Sequence, residues 1–128
     1  MVPPSDSSRR LLGGECELRV LPKYLRVWHG RSASNLEELM EVLDAIDQAL
    51  ETHGVSRVMF DSRDADYSEG EVQSRMWAWL TGHPVLDRVA TLVQSPRLAV
   101  SVGLTGMSKG VKIKAFHIES EAATWLGS

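Results

Sequence analysis

Apolar and polar side chains alternate along residues 16–21 and 24–29, and this spacing predicts two short strands. Only Pro22 and Lys23 separate the two runs, so the connection between them is a tight turn. Strands joined by so short a turn run antiparallel, because a parallel pair needs a long crossover. The chain is therefore expected to begin its sheet with an antiparallel hairpin.

The most regular pattern in the chain is a run of apolar residues at helical spacing between residues 36 and 50. Ser34 followed by Glu37 is a capping box, which marks a helix start, and Gly54 supplies the stop. Acidic residues fill the opposite face, for which a solvated surface is favoured over a docking surface. The apolar positions that predict this helix are Leu36, Leu39, Met40, Leu43, Ile46, Ala49 and Leu50.

Residues 55–61 form a short apolar run between helix signals, which is typical of a buried parallel strand. The run ends at Asp61, and a polar stretch, 62–71, follows it. In open α/β sheets, ligand sites lie beyond the carboxyl ends of such strands. The loop that starts at Asp61 is therefore where we expect function.

A second helix is predicted after this polar stretch. Ser68 followed by Glu71 is another capping box, and Gly82 with Pro84 ends the helical pattern. Ser68 is therefore expected to lie at a helix start.

The last third of the chain contains two further strand signals, at 89–93 and 111–116, and a short helix pattern at 120–125. Residues 96–107 fit two structures. Their apolar residues alternate as in a strand, whereas Pro96 suits the first turn of a helix. The regular succession of strand and helix elsewhere favours the helix.

This order of elements resembles that of STAS domains, and more narrowly the SpoIIAA-like group related to SEC14-type lipid-binding folds. Residues 112–116 end a strand in Phe116, as in that group, and 122–126 supply its closing Ala-x-x-Trp-Leu helix. Asp-Arg-Val-Ala at 87–90 is similar to the strand entry of the group, and Val-Met-Phe-Asp at 58–61 to its central strand.

The resemblance implies one α/β domain over residues 15–128. Its mixed sheet would have four or five strands with an antiparallel N-terminal hairpin, and about four helices would pack on it. Residues 1–14 are rich in Pro, Ser and Gly and are expected to form a flexible leader.

The resemblance also suggests a switch. Anti-sigma-factor antagonists of the STAS class are phosphorylated on a serine in an Asp-Ser-Ser-Gly motif at a helix start. Here the corresponding residues are Tyr67-Ser68-Glu69-Gly70, so Ser68 is a candidate phosphosite. Because Glu69 stands where the motif has its second serine, a plain helix cap is the favoured interpretation of Ser68.

Composition narrows the function classes. The net charge of −3 and pI near 5.8 give no electrostatic footprint for nucleic acid. No apolar run approaches the roughly 18 residues that suggest a membrane span. Cys16 is the only cysteine, so a reducing, cytoplasmic compartment is expected, with Cys16 a small buried residue.

The acidic loop does not predict a calcium site. An EF-hand loop that starts at Asp64 would need glycine where Glu69 stands and glutamate where Arg75 stands. No two histidines have metal-ligand spacing either. No metal and no cofactor are therefore expected.

No catalytic motif stands out, and a protein that is not an enzyme is the favoured interpretation. The alternative is an enzyme that uses Asp61, His29 or His117 for acid–base chemistry. That hypothesis requires these side chains to converge in one cleft.

A cluster of large apolar residues lies in the second predicted helix. Trp77 and Trp79 are two positions apart and point to different sides of a helix, so one is expected to be less buried. Helix–sheet packing is the favoured interpretation, and the alternative is a hydrophobic ligand pocket or a dimer contact. The candidate binding residues are Asp61, Tyr67, Ser68, Met76, Trp77 and Trp79.

Together these patterns predict a non-catalytic binding or regulatory module. It would recognise a protein partner or an apolar small molecule near the loop after the central strand, and homodimerisation is a further expectation. The alternative is a phosphorylation-switched protein like the anti-sigma-factor antagonists.

Overall fold

Six strands and three helices lie within residues 8–65, 70–97 and 112–128, the parts of the chain that the computed structural model describes. After an N-terminal run of three strands, strands and helices alternate as far as β5, and a further strand and helix follow beyond residues 98–111. None of the described helices combines the length and the hydrophobicity that crossing a membrane requires. The elements are β1 (Ser8–Leu11), β2 (Cys16–Val20), β3 (Leu25–His29), α1 (Leu36–His53), β4 (Arg57–Asp61), α2 (Gly70–Gly82), β5 (Arg88–Leu92), β6 (Ile113–Phe116) and α3 (Glu119–Gly127).

All six strands belong to one mixed sheet, in the spatial order β1 to β6. β1, β2 and β3 pair antiparallel, which confirms the predicted hairpin, and β3 to β6 pair parallel. The parallel pairs are β3–β4, β4–β5 and β5–β6. The two strands of each pair are joined by a connection long enough to cross over the sheet, as parallel pairing requires. The helices α1 and α2 are two of these connections.

The prediction that residues 1–14 form a flexible leader is wrong for residues 8–14. Ser8–Leu11 pairs with β2 as a sixth strand, where four or five strands were predicted. Leu11 and Leu12 bury their side chains in the core, which offsets the entropy of ordering the segment. Gly13, with φ of 67°, supplies the left-handed backbone of the turn into β2. Residues 1–7 lie outside the described part of the chain.

The two faces of the sheet carry separate cores, because successive side chains of a strand point to opposite faces. On the first face, Val27 and Phe60 lie side by side on adjacent strands and pack with residues of α1 and α2. On the second face, Met59 and Leu92 pack against α3. Residues 58–61 of the central strand β4 are thus buried on both faces, as predicted, whereas residues 55–57 of the predicted run are half-buried.

Helix α1 begins one residue later than its predicted capping box. Asn35 is the N-cap, and its side chain accepts a hydrogen bond from the Glu38 backbone N–H at 2.9 Å. The Ser34 backbone N–H instead donates to the Glu38 carboxylate at 2.8 Å. The N-cap bond is therefore that of a capping box shifted by one position, while the Glu38 side chain bonds the residue before the N-cap. Gly54 ends the helix with φ of 63°, as predicted.

Helix α3 is held by its buried side and by contacts at its C-terminus. Its apolar side, Ala122 and Leu126, is fully buried against the sheet. At its C-terminus, Arg57 Nη1 donates to the Leu126 carbonyl at 2.5 Å, and Arg88 Nη1 donates to the Trp125 carbonyl at 2.7 Å. Cations at this position also complement the negative end of the helix dipole.

The predicted helix count of about four compares with three helices that lie wholly within the described residues. The choice between helix and strand over 96–107 falls almost entirely on residues 98–111, which lie outside the described part. The other predicted bounds differ from the observed ones by a few residues at most, as helix and strand ends commonly do.

Replacing Asn35 with alanine is expected to lower the free energy of unfolding by about 1 kcal/mol, because the Glu38 N–H loses its cap. Ser34→Ala should cost clearly less, since alanine keeps the backbone N–H that bonds Glu38. Urea unfolding followed by circular dichroism measures both. A larger loss for Ser34→Ala would restore the capping position predicted from the sequence.

Candidate functional site

Asp61 is a buried carboxylate at the carboxyl end of β4, with 3% of its surface exposed. Arg63 donates to it twice, from Nε to Oδ1 and from Nη2 to Oδ2, both at 2.9 Å. Arg26, on the neighbouring strand β3, donates from Nη2 to Oδ2 at 2.6 Å. Both carboxylate oxygens are therefore satisfied by guanidinium groups.

A second carboxylate, Glu119 at the start of α3, completes the arrangement. Its Oε2 accepts from Arg26 Nε at 3.1 Å, and its Oε1 accepts from Arg26 Nη2 at 3.1 Å and Arg63 Nη2 at 2.9 Å. We call Arg26, Asp61, Arg63 and Glu119 the charge box. Its two positive and two negative charges balance around Asp61, the one member of the box that is fully buried.

The register of the sheet positions the charge box. Arg26 pairs with Met59, and Trp28 pairs with Asp61. The two members of the box that lie on strands, Arg26 and Asp61, therefore share the second face of the sheet with Met59 and Trp28. Trp28 extends the polar edge of this site, because its indole N–H donates to Asp64 at 3.0 Å. A Cβ atom at position 30 would lie only 2.7 Å from the Trp28 ring, so glycine at this position makes room for the ring.

The carboxylates of the charge box are ionised at neutral pH. Burial opposes ionisation of Asp61, but hydrogen bonds and charge from Arg63 and Arg26 outweigh it and lower the pKa of Asp61. Hydrogen bonds from Arg26 likewise lower the pKa of Glu119, against a smaller effect of burial. Neither group is suited to exchange protons near neutral pH, where general acid–base catalysis needs a matched pKa.

The residues of the acid–base hypothesis do not converge. His29 lies on the first face of the sheet, stacked against Phe60 with 6.0 Å between ring centroids, whereas Asp61 lies on the second face. His117 is exposed beyond β6, two strands away from β4. Burial lowers the pKa of His29 to about 4.

Cys16 has no nucleophilic character. It is fully buried on β2, as predicted, and burial raises the pKa of its thiol to about 12, with smaller contributions from Glu41 and Glu17. A thiol with so high a pKa forms almost no thiolate at neutral pH.

The candidate binding residues do not form a single site. Tyr67 and Ser68 lie outside the described residues. Met76, Trp77 and Trp79 lie on α2, half-buried against the core of the first face. Asp61 lies on the opposite face, so the sheet itself separates it from these three residues.

Trp79 belongs to a polar cluster between α1 and α2 that the sequence did not suggest. Its indole N–H donates to the Asp47 carboxylate at 3.2 and 3.3 Å. His83 Nε2 lies 2.7 Å from Asp47 Oδ1, and its ring meets Trp79 edge-on, with centroids 4.8 Å apart. Asp47 had been assigned to the solvated face of α1, and no local pattern links it to a residue 32 positions away.

An open groove of about 640 Å³ surrounds this cluster. It lies between α1 and the C-terminal half of α2, which runs back from the end of β4 towards the start of β5. The groove is therefore displaced from the carboxyl ends of the strands, where the sequence had predicted function. Its apolar walls are formed by Met40, Leu43, Leu50, Ala78, Trp79 and Val85. We call it the α1–α2 groove.

No grouping of three or more histidine, cysteine, aspartate or glutamate side chains within residues 8–65, 70–97 and 112–128 is placed to hold a metal ion. Of the acidic residues that raised the calcium question, Asp61, Asp64 and Glu71 lie within these ranges. Asp61 and Asp64 accept hydrogen bonds from protein groups, and Glu71 lies in the first turn of α2.

Comparison with known proteins establishes the fold. The sequence matches no family model and no curated protein. Among solved structures it is similar to an uncharacterized protein of the DUF3478 family, with a SpoIIAA-like fold, from Shewanella loihica PV-4. The two are 17% identical with a TM-score of 0.63, over 87% of this chain and 91% of that chain. The chain thus has a SpoIIAA-like α/β fold, which confirms the resemblance seen in the sequence.

Breaking the charge box at Asp61 should strongly destabilise the fold. Asp61→Asn removes the buried charge that both arginines face, and we expect a loss of roughly 2–3 kcal/mol. Glu119→Gln is the matched control, and it should cost less because its side chain is 41% exposed. Urea unfolding at neutral pH measures both. Equal losses would mean that burial of Asp61 does not set the strength of the box.

His29 should make the protein acid-sensitive. Its pKa is about 4 when folded and near 6.5 in an unfolded chain, so the unfolded state binds more protons between these values. Stability is therefore expected to fall as pH drops through this window, by about 2 kcal/mol at about pH 5 relative to pH 7.5.

His29→Phe provides the control for this effect, since phenylalanine preserves an aromatic ring against Phe60 but does not titrate. Unfolding midpoints of both proteins across the same pH range are compared. The loss between pH 7.5 and 5 should disappear in the variant, and an unchanged loss would show that another group is responsible.

Proposed function

We propose that this chain is a non-catalytic binding or regulatory module of the SpoIIAA-like, STAS type, which recognises an apolar small molecule or a protein partner. The observation that carries the proposal is the α1–α2 groove, an apolar cleft with one ordered polar cluster. The same fold in the Shewanella loihica protein is consistent with it but names no ligand.

The non-catalytic part of the proposal is supported by how the reactive groups are used. Asp61 is neutralised inside the charge box, the Cys16 thiol is buried, and His29 is stacked on the core. Each has a structural role: Cys16 and His29 are opposite each other in the register of β2 and β3, where the Cys16 thiol is fully buried, and Asp61 lies on the other face of the sheet. A binding function requires none of them.

The binding part is supported by the shape and chemistry of the groove. Its volume of about 640 Å³ falls within the range of small-molecule sites, which are mostly apolar with a few fixed polar groups. Trp79 presents a large aromatic ring that is only partly buried. Its N–H is held by Asp47, so the ring has a defined orientation before a ligand arrives.

Regulation by phosphorylation of Ser68 stays a prediction, and so does homodimerisation. Helix α2 begins at Gly70, directly after the segment that contains Ser68. A phosphate near a helix start would be stabilised by the helix dipole. Intact mass of wild type and Ser68→Ala before and after incubation with ATP and a host-cell extract tests it, and the absence of a mass gain that depends on Ser68 would reject it.

The neutral compound 4-phenylbutan-1-ol tests the groove. The chain has four tryptophans, and a ¹H–¹⁵N spectrum resolves their indole N–H signals, with Trp79→Phe assigning that of Trp79. We expect the Trp79 signal to move saturably on titration. Trp28, bonded to Asp64 on the opposite face, serves as the internal control and should not move. Equal movement of both signals, or none, would contradict the proposal.

A further inference from the structure

The α1–α2 groove contains a carboxylate that is held in place but not neutralised. Asp47 Oδ1 accepts from Trp79 and His83, and Oδ2 accepts from Trp79 at 3.3 Å. The Asp47 side chain remains 46% exposed, and it lines the groove. A carboxylate has about four acceptor positions, so Oδ2 keeps capacity for a further donor.

His83 orients this carboxylate without cancelling its charge. The Val85 backbone N–H donates to His83 Nδ1 at 3.2 Å, so Nδ1 is an acceptor and the ring proton sits on Nε2. Nε2 then donates to Asp47 Oδ1 at 2.7 Å. A histidine with one donor and one acceptor nitrogen is neutral, and the negative charge of Asp47 stays within the groove.

The charges around the groove favour a positive ligand. Asp47 and Glu51 line it with two negative charges, against the single positive charge of Arg75 on α2. All three side chains are exposed, so solvent screens them alike and the excess of one negative charge remains.

We infer that the α1–α2 groove binds an organic cation, an ammonium group carried on an apolar body, with the ammonium at Asp47 and the body against Trp79 and Val85. This inference rests on the proposed function and names its ligand class. An ammonium donor would make a charge-assisted hydrogen bond to Oδ2, which is stronger than a neutral one. The Trp79 ring beside it adds a favourable surface for a cation.

Three compounds with the same phenylbutyl body separate charge from shape: 4-phenylbutylamine, 4-phenylbutan-1-ol and 5-phenylvalerate. Dissociation constants are measured at low salt from the Trp79 indole signal. The amine should bind about five- to tenfold more tightly than the alcohol, which corresponds to one charge-assisted hydrogen bond. The carboxylate compound should bind most weakly of the three.

Two variants test which carboxylate causes the preference for the amine over the alcohol. Asp47→Asn should bring the amine to the affinity of the alcohol, because the charge is removed while an acceptor for Trp79 remains. Asp44→Asn, which removes an exposed carboxylate of the same helix outside the groove, should keep the preference within about twofold, since an exposed charge is screened.

The outcomes distinguish the inference from the proposed function. If the alcohol binds and the amine binds no better, the groove is a binding site and the cation inference is overturned. If none of the three binds, both proposals fail. If Asp44→Asn abolishes the preference as fully as Asp47→Asn, the preference comes from the general field of α1 and the assignment to Asp47 is wrong. The wild-type comparison decides the ligand class even if Asp47→Asn does not fold.

Discussion

The burial of one charge, the carboxylate of Asp61, organises much of this fold. An ionised group in the interior must be paired, and Asp61 takes its partners from β3 and from its own loop. The two arginines would leave an excess of positive charge, which Glu119 balances. Because Arg26 and Glu119 are 93 positions apart, balancing this charge ties the N-terminal part of the sheet to the final helix.

This use of the charge separates stability from recognition. In many open α/β sheets, ligands bind at the carboxyl ends of the strands. Here the carboxyl end of β4 on the second face is filled by the charge box, whose groups are already paired with one another. The α1–α2 groove lies on the other side of the sheet, where Asp47 is half-exposed and oriented. The first carboxylate stabilises the fold, and the second is available to a ligand.

The sequence predicted the features that depend on local periodicity. Helix α1, the antiparallel hairpin and the central strand follow from apolar spacing, since one residue type at regular intervals defines a buried face. Strand β1 was missed because its exposed arginines resemble a polar leader, while burial of Leu11 and Leu12 depends on a helix far along the chain.

The sites were harder to predict for the same physical reason. Both the charge box and the Asp47 cluster join residues that only strand register and helix packing bring together. Trp79 was a candidate binding residue on α2, but its partner on α1, Asp47, looked like one acid of a solvated stripe.

The double attachment of α3 has a consequence for how the chain moves. A helix of nine residues is too short to persist alone in water, and the last element of a chain commonly frays. Here Glu119 fastens the first turn to the sheet, while Arg57 and Arg88 fasten the last. Opening the first turn would leave Arg26 and Arg63 without Glu119, and opening the last turn would leave Arg57 and Arg88 without their carbonyl partners. The helix is therefore fixed to the sheet at both ends, and we expect its amide hydrogens to exchange with solvent more slowly than those of a helix with free ends.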